Sequence, residues 1–242
     1  MKLLLINPNT CEEMTDSIWQ AAVSAADTDT EILAVNPPEG PVSVETYYDE
    51  AFAAPEVVKL ARQHEKDADA IVIACFNDPA LYAVRELTAK PVLGIAQSAM
   101  LLSTMVAHRF SLISLFPRDK IMLEELLWRY GMAEQCASIR ITGLSVLDCE
   151  QSPGKTSEAM KEAGRAAIRE DGAEALIPGC AGMAGFAKEL EAELNVPVID
   201  GVSAAVKLAE SLVKLGIGTS KAISFDYPIP KKYNGMEENQ PK

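Results

Sequence analysis

Short apolar runs alternate with longer amphipathic segments along most of the chain. The apolar runs are bounded by Gly, Pro or Asn, as buried strands are, and the clearest are Lys2–Ile6, Thr30–Val35, Ala70–Ala74, Val92–Ile95, Phe110–Leu115, Ser138–Leu144, Ala175–Ile177 and Val198–Ile199. The segments between them have helical patterning, namely Glu13–Ala26, Ala51–Lys66, Ala80–Ala89, Lys120–Tyr130, Thr156–Asp171 and Phe186–Leu194. This alternation predicts an α/β fold with parallel sheets built from βαβ units.

The pattern of the first half of the chain returns in the second half. The segment from Ala68 to Cys75 resembles the segment from Ala173 to Cys180, and a helix and a Pro-led strand are predicted after each. The first strand matches Phe110–Leu115 at nearly the same spacing. Such a repeat predicts two pseudo-symmetric Rossmann-like lobes, each a parallel sheet flanked by helices, with the site in the cleft between them.

The lobe boundary is predicted near Gln97–Ala107. Residues 1–97 are assigned to the first lobe, together with about 203–226, because the last predicted helix, Val202–Leu215, is expected to pack back on that lobe. Residues 98–202 form the predicted second lobe. The remaining tail, 227–242, is rich in Pro, Lys, Asn and Glu, and is expected to be a loose or swapped terminus.

Charge and composition narrow the range of partners. The chain has 242 residues and a formal net charge of −13, which repels a phosphate backbone. Lys231 and Lys232 form a pair and no basic patch, so nucleic acid is not expected as a partner. No signal-peptide pattern and no apolar run of membrane-spanning length is present, so we expect a cytoplasmic protein that does not bind membranes.

Five cysteines are present without CxxC or Cys/His metal-ligand spacing, and neither histidine lies in a ligand-like motif. We therefore predict thiols and no metal site. Nucleotide-binding glycine loops are absent as well. The cysteines are Cys11, Cys75, Cys136, Cys149 and Cys180.

Cys75 and Cys180 end equivalent predicted strands of the two lobes. Ligand crevices of open parallel sheets lie at the carboxyl ends of strands, so two such lobes would hold the thiols across one cleft. A helix is predicted just after each cysteine, and its N-terminal amides are expected to lower the thiol pKa. Two facing acid–base groups suit inversion of a stereocentre, one removing a proton and the other returning it. A redox-active disulfide is the rival interpretation of the pair, and simple core filling is the interpretation for a single buried cysteine.

Other candidate residues lie at the same sheet edge. Asn7 is predicted to bind a carbonyl or carboxylate oxygen, while Asn9 or Thr10 caps the next helix. Backbone N–H groups just after each cysteine are predicted to stabilise an enolate. Loops after the first and second strands of the lobes are predicted to line the pocket. The candidates for these two roles are Ser43, Val44, Phe76, Asn77, Phe116, Gly179, Ala181 and Gly182.

Several motifs together resemble the aspartate/glutamate/hydantoin racemase superfamily, most closely its hydantoin and allantoin racemase branch. They are INPNT at Ile6–Thr10, GPVSVETYYDEA at Gly40–Ala51, ACFNDPAL at Ala74–Leu81, GCAGM at Gly179–Met183 and VPVIDGVSAAVKLAESL at Val196–Leu212. The resemblance implies racemisation by Cys75 and Cys180, with no metal or organic cofactor, in a homo-oligomer. It also implies substrate contacts at Asn7, Ser43, Val44, Asn77, Ala181 and Gly182.

Three departures from the family pattern bear on the substrate. Asn77 and Ala80 replace the glycines of the usual CFGDPG motif, and Pro178 stands where an aliphatic residue is usual. The leading hypothesis is a racemase acting on the 5-carbon of hydantoins. The alternatives are an allantoin racemase, a maleate-type isomerase, an amino-acid racemase, and a binding protein that would not need paired cysteines. A decarboxylase of this superfamily resembles a one-cysteine version, so the pair disfavours it.

Overall fold

The computed structural model describes residues 1–234, apart from the side chains at positions 147 and 150. Within this part of the chain, strands and helices alternate as the sequence predicts. The strands are β1 (Lys2–Ile6), β2 (Glu31–Val35), β3 (Ala70–Ile73), β4 (Val92–Gly94), β5 (Phe110–Ser114), β6 (Cys136–Ile141) and β7 (Ala175–Pro178). The α-helices are α1 (Glu12–Ala25), α2 (Tyr47–His64), α3 (Leu81–Leu87), α4 (Ile95–Val106), α5 (Pro117–Tyr130), α6 (Val146–Gln151), α7 (Pro153–Asp171), α8 (Ala187–Leu194) and α9 (Gly201–Leu215).

The strands form two parallel sheets. The first sheet has the order β2-β1-β3-β4, and the second has the order β6-β5-β7. Val198 pairs with Leu176 in an isolated parallel bridge, so the predicted strand Val198–Ile199 is reduced to one pairing at the place of a fourth strand. The predicted α/β fold with two similar lobes is confirmed.

Helices cover the sheets, which explains why β3 and β7 are continuous apolar runs rather than alternating ones. Every residue of β3, β5 and β7 is buried. Helix α4 packs against β4 of the first sheet and against β5 and β7 of the second. The sequence analysis placed a lobe boundary in this segment and did not predict the helix. Nor did it predict the short helix α6.

The last helix and the segment after it return to the first lobe. Helix α9 packs against α1, α4, β3 and β4. Beyond it, the backbone N–H of Thr219 donates to the carbonyl oxygen of Ala89 at 2.8 Å, and Lys221 Nζ donates to that of Arg85 at 2.6 Å. These contacts favour the assignment of residues 203–226 to the first lobe, and the full division into lobes stays a prediction. Residues 235–242 of the predicted tail lie outside the described residues.

Hydropathy along the helices bears on membrane insertion. Across residues 1–234, no helix combines the length and the apolar character needed to span a lipid bilayer.

Candidate active site

Cys75 and Cys180 line the same small cavity, whose volume is about 40 Å³. Cys75 stands two residues beyond the last residue of β3, and Cys180 stands two residues beyond the last residue of β7. Both sulfurs are thiols in the structure, and both side chains are half-buried. The structure therefore brings the two cysteines together at the carboxyl ends of equivalent strands, as the repeat in the sequence indicated.

The backbone after the two cysteines differs between the lobes. Cys180 is the N-cap of a 3₁₀ helix, Ala181–Phe186, and the N–H of Met183 donates to its carbonyl oxygen at 3.0 Å. Helix α3 begins only at Leu81, because a turn separates it from Cys75. Two residues of that turn, Asp78 and Ala80, have positive φ angles of 47° and 58°. The prediction of a helix directly after Cys75 is therefore wrong.

Burial raises the pKa of the Cys75 thiol well above its ordinary value. A hydrogen bond from the backbone N–H of Asn77 opposes this rise, whereas negative charge on Cys180 adds to it. The expected lowering of this pKa by helix amides is thus wrong for Cys75, since desolvation outweighs the amide. A thiolate on one side disfavours a thiolate on the other, so the two sulfurs resist simultaneous ionisation.

Asp78 anchors the turn that carries Cys75, since its own N–H donates to the Cys75 carbonyl oxygen at 2.9 Å. Its carboxylate accepts hydrogen bonds from Ala96 N at 3.1 Å, Gln97 N at 3.0 Å and Tyr130 Oη at 2.7 Å. Burial nevertheless raises the pKa of Asp78 to about 6. The bonds tie the cysteine turn to the start of α4 and to the end of α5.

Asn9 forms the first-lobe wall of the cavity, and Asn7 holds it in place. The buried Asn7 amide donates to Asn9 Oδ1 and to Thr15 Oγ1, each at 3.0 Å. Asn9 is the residue that lines the cavity. Neither Asn9 nor Thr10 caps α1. The N-cap residue is Cys11, and its side chain makes no capping hydrogen bond to the first turn. A binding role for Asn7 itself stays a prediction, with the structure placing its amide behind Asn9.

Ser114 and Asp119 form the second-lobe wall, which the sequence analysis missed. Both residues line the cavity, and Ser114 Oγ donates to Asp119 Oδ2 at 2.9 Å. The same carboxylate oxygen faces the N–H groups of Leu115 and Phe116 at 3.4 and 3.5 Å. Burial raises the pKa of Asp119, while these hydrogen bonds oppose the rise. The repeat in the sequence could have identified Ser114, because Ser114 follows Ile113 as Asn7 follows Ile6.

The other predicted binding residues divide into two groups. Five of them line the cavity: Val44, Phe76, Asn77, Gly179 and Ala181. Ser43, Phe116 and Gly182 do not lie among its lining residues. Ser43 Oγ donates to Glu45 Oε1 at 3.1 Å, Phe116 is the N-cap of α5, and Gly182 lines a neighbouring groove. Their predicted contacts with substrate stay predictions.

Glu45 joins the two lobes beside the cavity. Its Oε1 atom accepts hydrogen bonds from Ser43 Oγ at 3.1 Å and from the backbone N–H of Val146 at 3.2 Å. Val44 and Val146, which flank these bonds, both line the cavity. The loop before α2 is thereby fastened to the start of α6.

Comparison with known proteins identifies the family. The sequence profile of Asp/Glu/Hydantoin racemase matches residues 3–209. A hydantoin racemase of Pseudomonas sp. (strain NS671) is 50% identical, covering 99% of this chain and 96% of that protein. A hydantoin racemase of Paenarthrobacter aurescens is 44% identical, covering 96% of this chain and 100% of that protein.

A solved structure agrees with these sequence matches over the whole fold. The allantoin racemase from Klebsiella pneumoniae superposes with a TM-score of 0.96 at 44% identity, covering 99% of this chain and 98% of that one. The chain belongs to the Asp/Glu/hydantoin racemase family and is an isomerase of that family.

Proposed function

We propose that this protein is a cofactor-independent racemase that inverts the 5-carbon of hydantoins by proton transfer between Cys75 and Cys180. The observation that carries the proposal is the placement of the two thiols at equivalent strand ends of two similar sheets, lining one cavity. Inversion requires one group on each face of the carbon, and a pseudo-symmetric pair supplies it. The relatives named as hydantoin racemases support the substrate class.

The proposed reaction begins with one thiolate and one thiol. The thiolate removes the hydrogen on C5, and the electron pair of that bond moves into the neighbouring carbonyl to form an enolate. The opposite thiol then gives its proton to the other face of C5 and becomes the thiolate. Atoms and charge balance without any further reactant, and the next turnover runs in the reverse sense.

The environment of Cys75 supports this division of labour. Its pKa is raised by burial and by charge on Cys180, so the two sulfurs resist simultaneous ionisation. Burial keeps the Cys75 sulfur protonated, as a group that returns a proton to a carbanion must be. Asn77 N–H, which lowers the pKa of Cys75, stabilises its thiolate when Cys75 is the base.

Allantoin is the second candidate substrate, and a specific observation favours it. The structural match to the Klebsiella allantoin racemase covers nearly the whole chain. Allantoin is a hydantoin with a ureido group on C5, and Asn9 and Asp119 place polar groups on the cavity wall. Assembly as a homo-oligomer and a cytoplasmic location stay predictions.

The test is racemisation in heavy water. One enantiomer of a 5-substituted hydantoin, and separately of allantoin, is incubated with enzyme while optical rotation and deuterium at C5 are followed. We expect loss of rotation with deuterium uptake, and we expect Cys75→Ala and Cys180→Ala each to abolish the loss of rotation. Cys136→Ala is the matched control, since Cys136 begins β6 and does not line the cavity.

The outcomes separate the competing functions. A variant that retains one cysteine and exchanges deuterium on one enantiomer only would assign that cysteine to one face of the ring. Unchanged rotation of every hydantoin and of allantoin would overturn the proposal in favour of another isomerase or a binding protein. Racemisation that survives either single substitution would overturn the two-base mechanism alone.

A further inference from the structure

The two walls of the cavity carry opposite hydrogen-bonding character. Asn7 and Ser114 occupy equivalent positions, because each follows the last residue that pairs its central strand with the cysteine-bearing strand. Each then orients one cavity-lining side chain by a hydrogen bond, Asn7 to Asn9 at 3.0 Å and Ser114 to Asp119 at 2.9 Å. Equivalent positions of the two lobes thus present different groups to the cavity, the Asn9 amide on one wall and the Asp119 carboxylate on the other.

The amide of Asn9 presents a donor. Its Oδ1 atom already accepts from Asn7 Nδ2 at 3.0 Å and from Cys11 N at 2.9 Å. Its Nδ2 group contacts only the weak acceptor Met14 Sδ, at 3.2 Å, among the described residues. A carbonyl oxygen is the ligand group that suits this wall.

The carboxylate of Asp119 presents an acceptor. Within the described part of the chain, its hydrogen bonds all run to Oδ2, from Ser114 Oγ and from the N–H groups of Leu115 and Phe116. Its Oδ1 atom is left to accept from a ligand in the cavity that Asp119 lines. Three donors on Oδ2 oppose the effect of burial and favour the ionised carboxylate, which can only accept.

We infer that Asp119 is a specificity-determining residue that accepts a hydrogen bond from a substrate N–H group. Resting on the proposed function, this inference assigns the cavity to neutral cyclic ureides that carry a carbonyl for Asn9 and an N–H for Asp119. The same carboxylate repels a substrate with a free carboxylate, such as an open-chain carbamoyl amino acid. A purely structural role would be capping of α5, where Asp119 is the third residue.

The substitution Asp119→Asn reverses the polarity of this wall without changing its size. The donors around Oδ2 compel the asparagine oxygen to take that position, so its Nδ2 group occupies the place of Oδ1. The variant therefore presents a donor where the native protein presents an acceptor. Loss of capping alone would instead lower thermal stability and leave the choice among substrates unchanged.

The experiment compares a 5-substituted hydantoin with its 1-methyl and 3-methyl derivatives in both proteins, by kcat/KM for racemisation. In the native enzyme, we expect one of the two methyl groups to lower kcat/KM about tenfold to a hundredfold, since it removes the N–H that Asp119 accepts. In Asp119→Asn we expect the methyl penalty to be smaller than in the native enzyme by that same factor. Effects of the methyl group on the acidity of C5 are common to both proteins and cancel.

A second variant keeps the test decisive if Asp119→Asn does not fold. Ser114→Ala removes the hydroxyl that fixes Oδ2, and we expect a methyl penalty between those of the native protein and Asp119→Asn. An equal penalty in native and variant proteins, or no penalty in the native enzyme, would overturn the inference. Failure of the native enzyme to racemise the unmethylated hydantoin would instead overturn the proposed function, and with it this inference.

Discussion

Cys75 and Cys180 occupy equivalent places in the two sheets, and the hydrogen bonds before them are the same. The N–H of Ala74 donates to the carbonyl oxygen of Ile6, and the N–H of Gly179 donates to that of Ile113, both at 2.8 Å. These bonds close the β1–β3 and β5–β7 pairings one residue before each cysteine. The positions of the thiols are therefore fixed by sheet register rather than by loop conformation.

Gly179 sets how closely Cys180 can approach its neighbouring strand. A Cβ atom at this position would lie 3.0 Å from the carbonyl oxygen of Ile113 and 3.3 Å from Ser114 Oγ. We expect Gly179→Ala to shift Cys180 by a few tenths of an ångström and to lower kcat about tenfold, because catalysis depends on such distances. Steady-state kinetics and thermal unfolding would measure the two effects separately.

Gly185→Ala is the matched control for this substitution. Gly185 lies in the same 3₁₀ helix that follows Cys180, and a Cβ atom there would meet nothing within 4 Å. We expect this variant to keep the native kcat. Full activity of Gly179→Ala would contradict the tight placement of Cys180.

The strands and helices that the sequence predicts best are those with a clear hydrophobic pattern. The buried runs of β1 and β3 were predicted because strands covered on both faces are continuously apolar, and β5 has the same character apart from Ser111 and Ser114. Helix α4 was not predicted because its exposed face is apolar as well, with Leu101, Met105 and Val106 exposed, so its sequence lacks a polar face to reveal a helical period. Its first residue also continues the apolar run of β4.

The candidate site was predictable where the repeat could be used and not elsewhere. Matching the two halves identified Cys75 and Cys180. Asp119 has no such signal, because an acidic residue in the first turn of a helix is ordinary and only the fold shows that it lines a cavity. The sequence predicts a helix just after Cys75 and gives no sign of the turn, since positive φ at Asp78 and Ala80 is rare for residues other than glycine.

Asp78 makes stability depend on pH in a definite direction. Its pKa is raised from 3.8 to about 6 in the folded protein, so folding favours its protonated form. The contribution of Asp78 to the free energy of unfolding is fully present below the unfolded pKa of 3.8. It is lost as pH rises through the folded pKa of about 6. With about 1.4 kcal/mol for each unit of pKa shift, the loss amounts to about 3 kcal/mol.

Urea unfolding of the native protein and of Asp78→Asn between pH 3.5 and 7.5 would measure this effect. The native protein should lose unfolding free energy relative to Asp78→Asn as pH rises to about 6. The difference between the two proteins should stay level above about pH 7. Glu162→Gln is the control, because Glu162 is an exposed residue of α7. A difference that is independent of pH would show that Asp78 is ionised throughout this range.

Glu210 fastens α9 to the turn between α1 and β2. Its buried carboxylate accepts hydrogen bonds from Asp27 N at 2.7 Å and from Thr30 Oγ1 at 2.6 Å, and it pairs with Lys207 at 2.8 Å. We expect Glu210→Ala to cost about 1–3 kcal/mol of unfolding free energy, since these donors lose their acceptor. Hydrogen exchange should rise first in α9, which would support its assignment to the first lobe. Native exchange rates in α9 would argue against that assignment.

Glu45 is expected to act on substrate binding rather than on proton transfer. Its Oε1 atom holds Ser43 Oγ at 3.1 Å and Val146 N at 3.2 Å, and thereby keeps the cavity-lining Val44 and Val146 in place across the two lobes. Glu45→Ala removes this link without touching either thiol. We expect KM to rise about tenfold, the value of one lost hydrogen bond to a charged group, with kcat changed less than twofold.

Glu39→Ala is the matched control, because Glu39 is an exposed residue of the same connection before α2. Its kinetic constants should equal those of the native enzyme. A fall in kcat of Glu45→Ala with unchanged KM would mean that the link between the lobes sets the spacing of the two cysteines during proton transfer. In that case the lobes move relative to each other in the catalytic step. The loop before α2 then helps to position the two thiols.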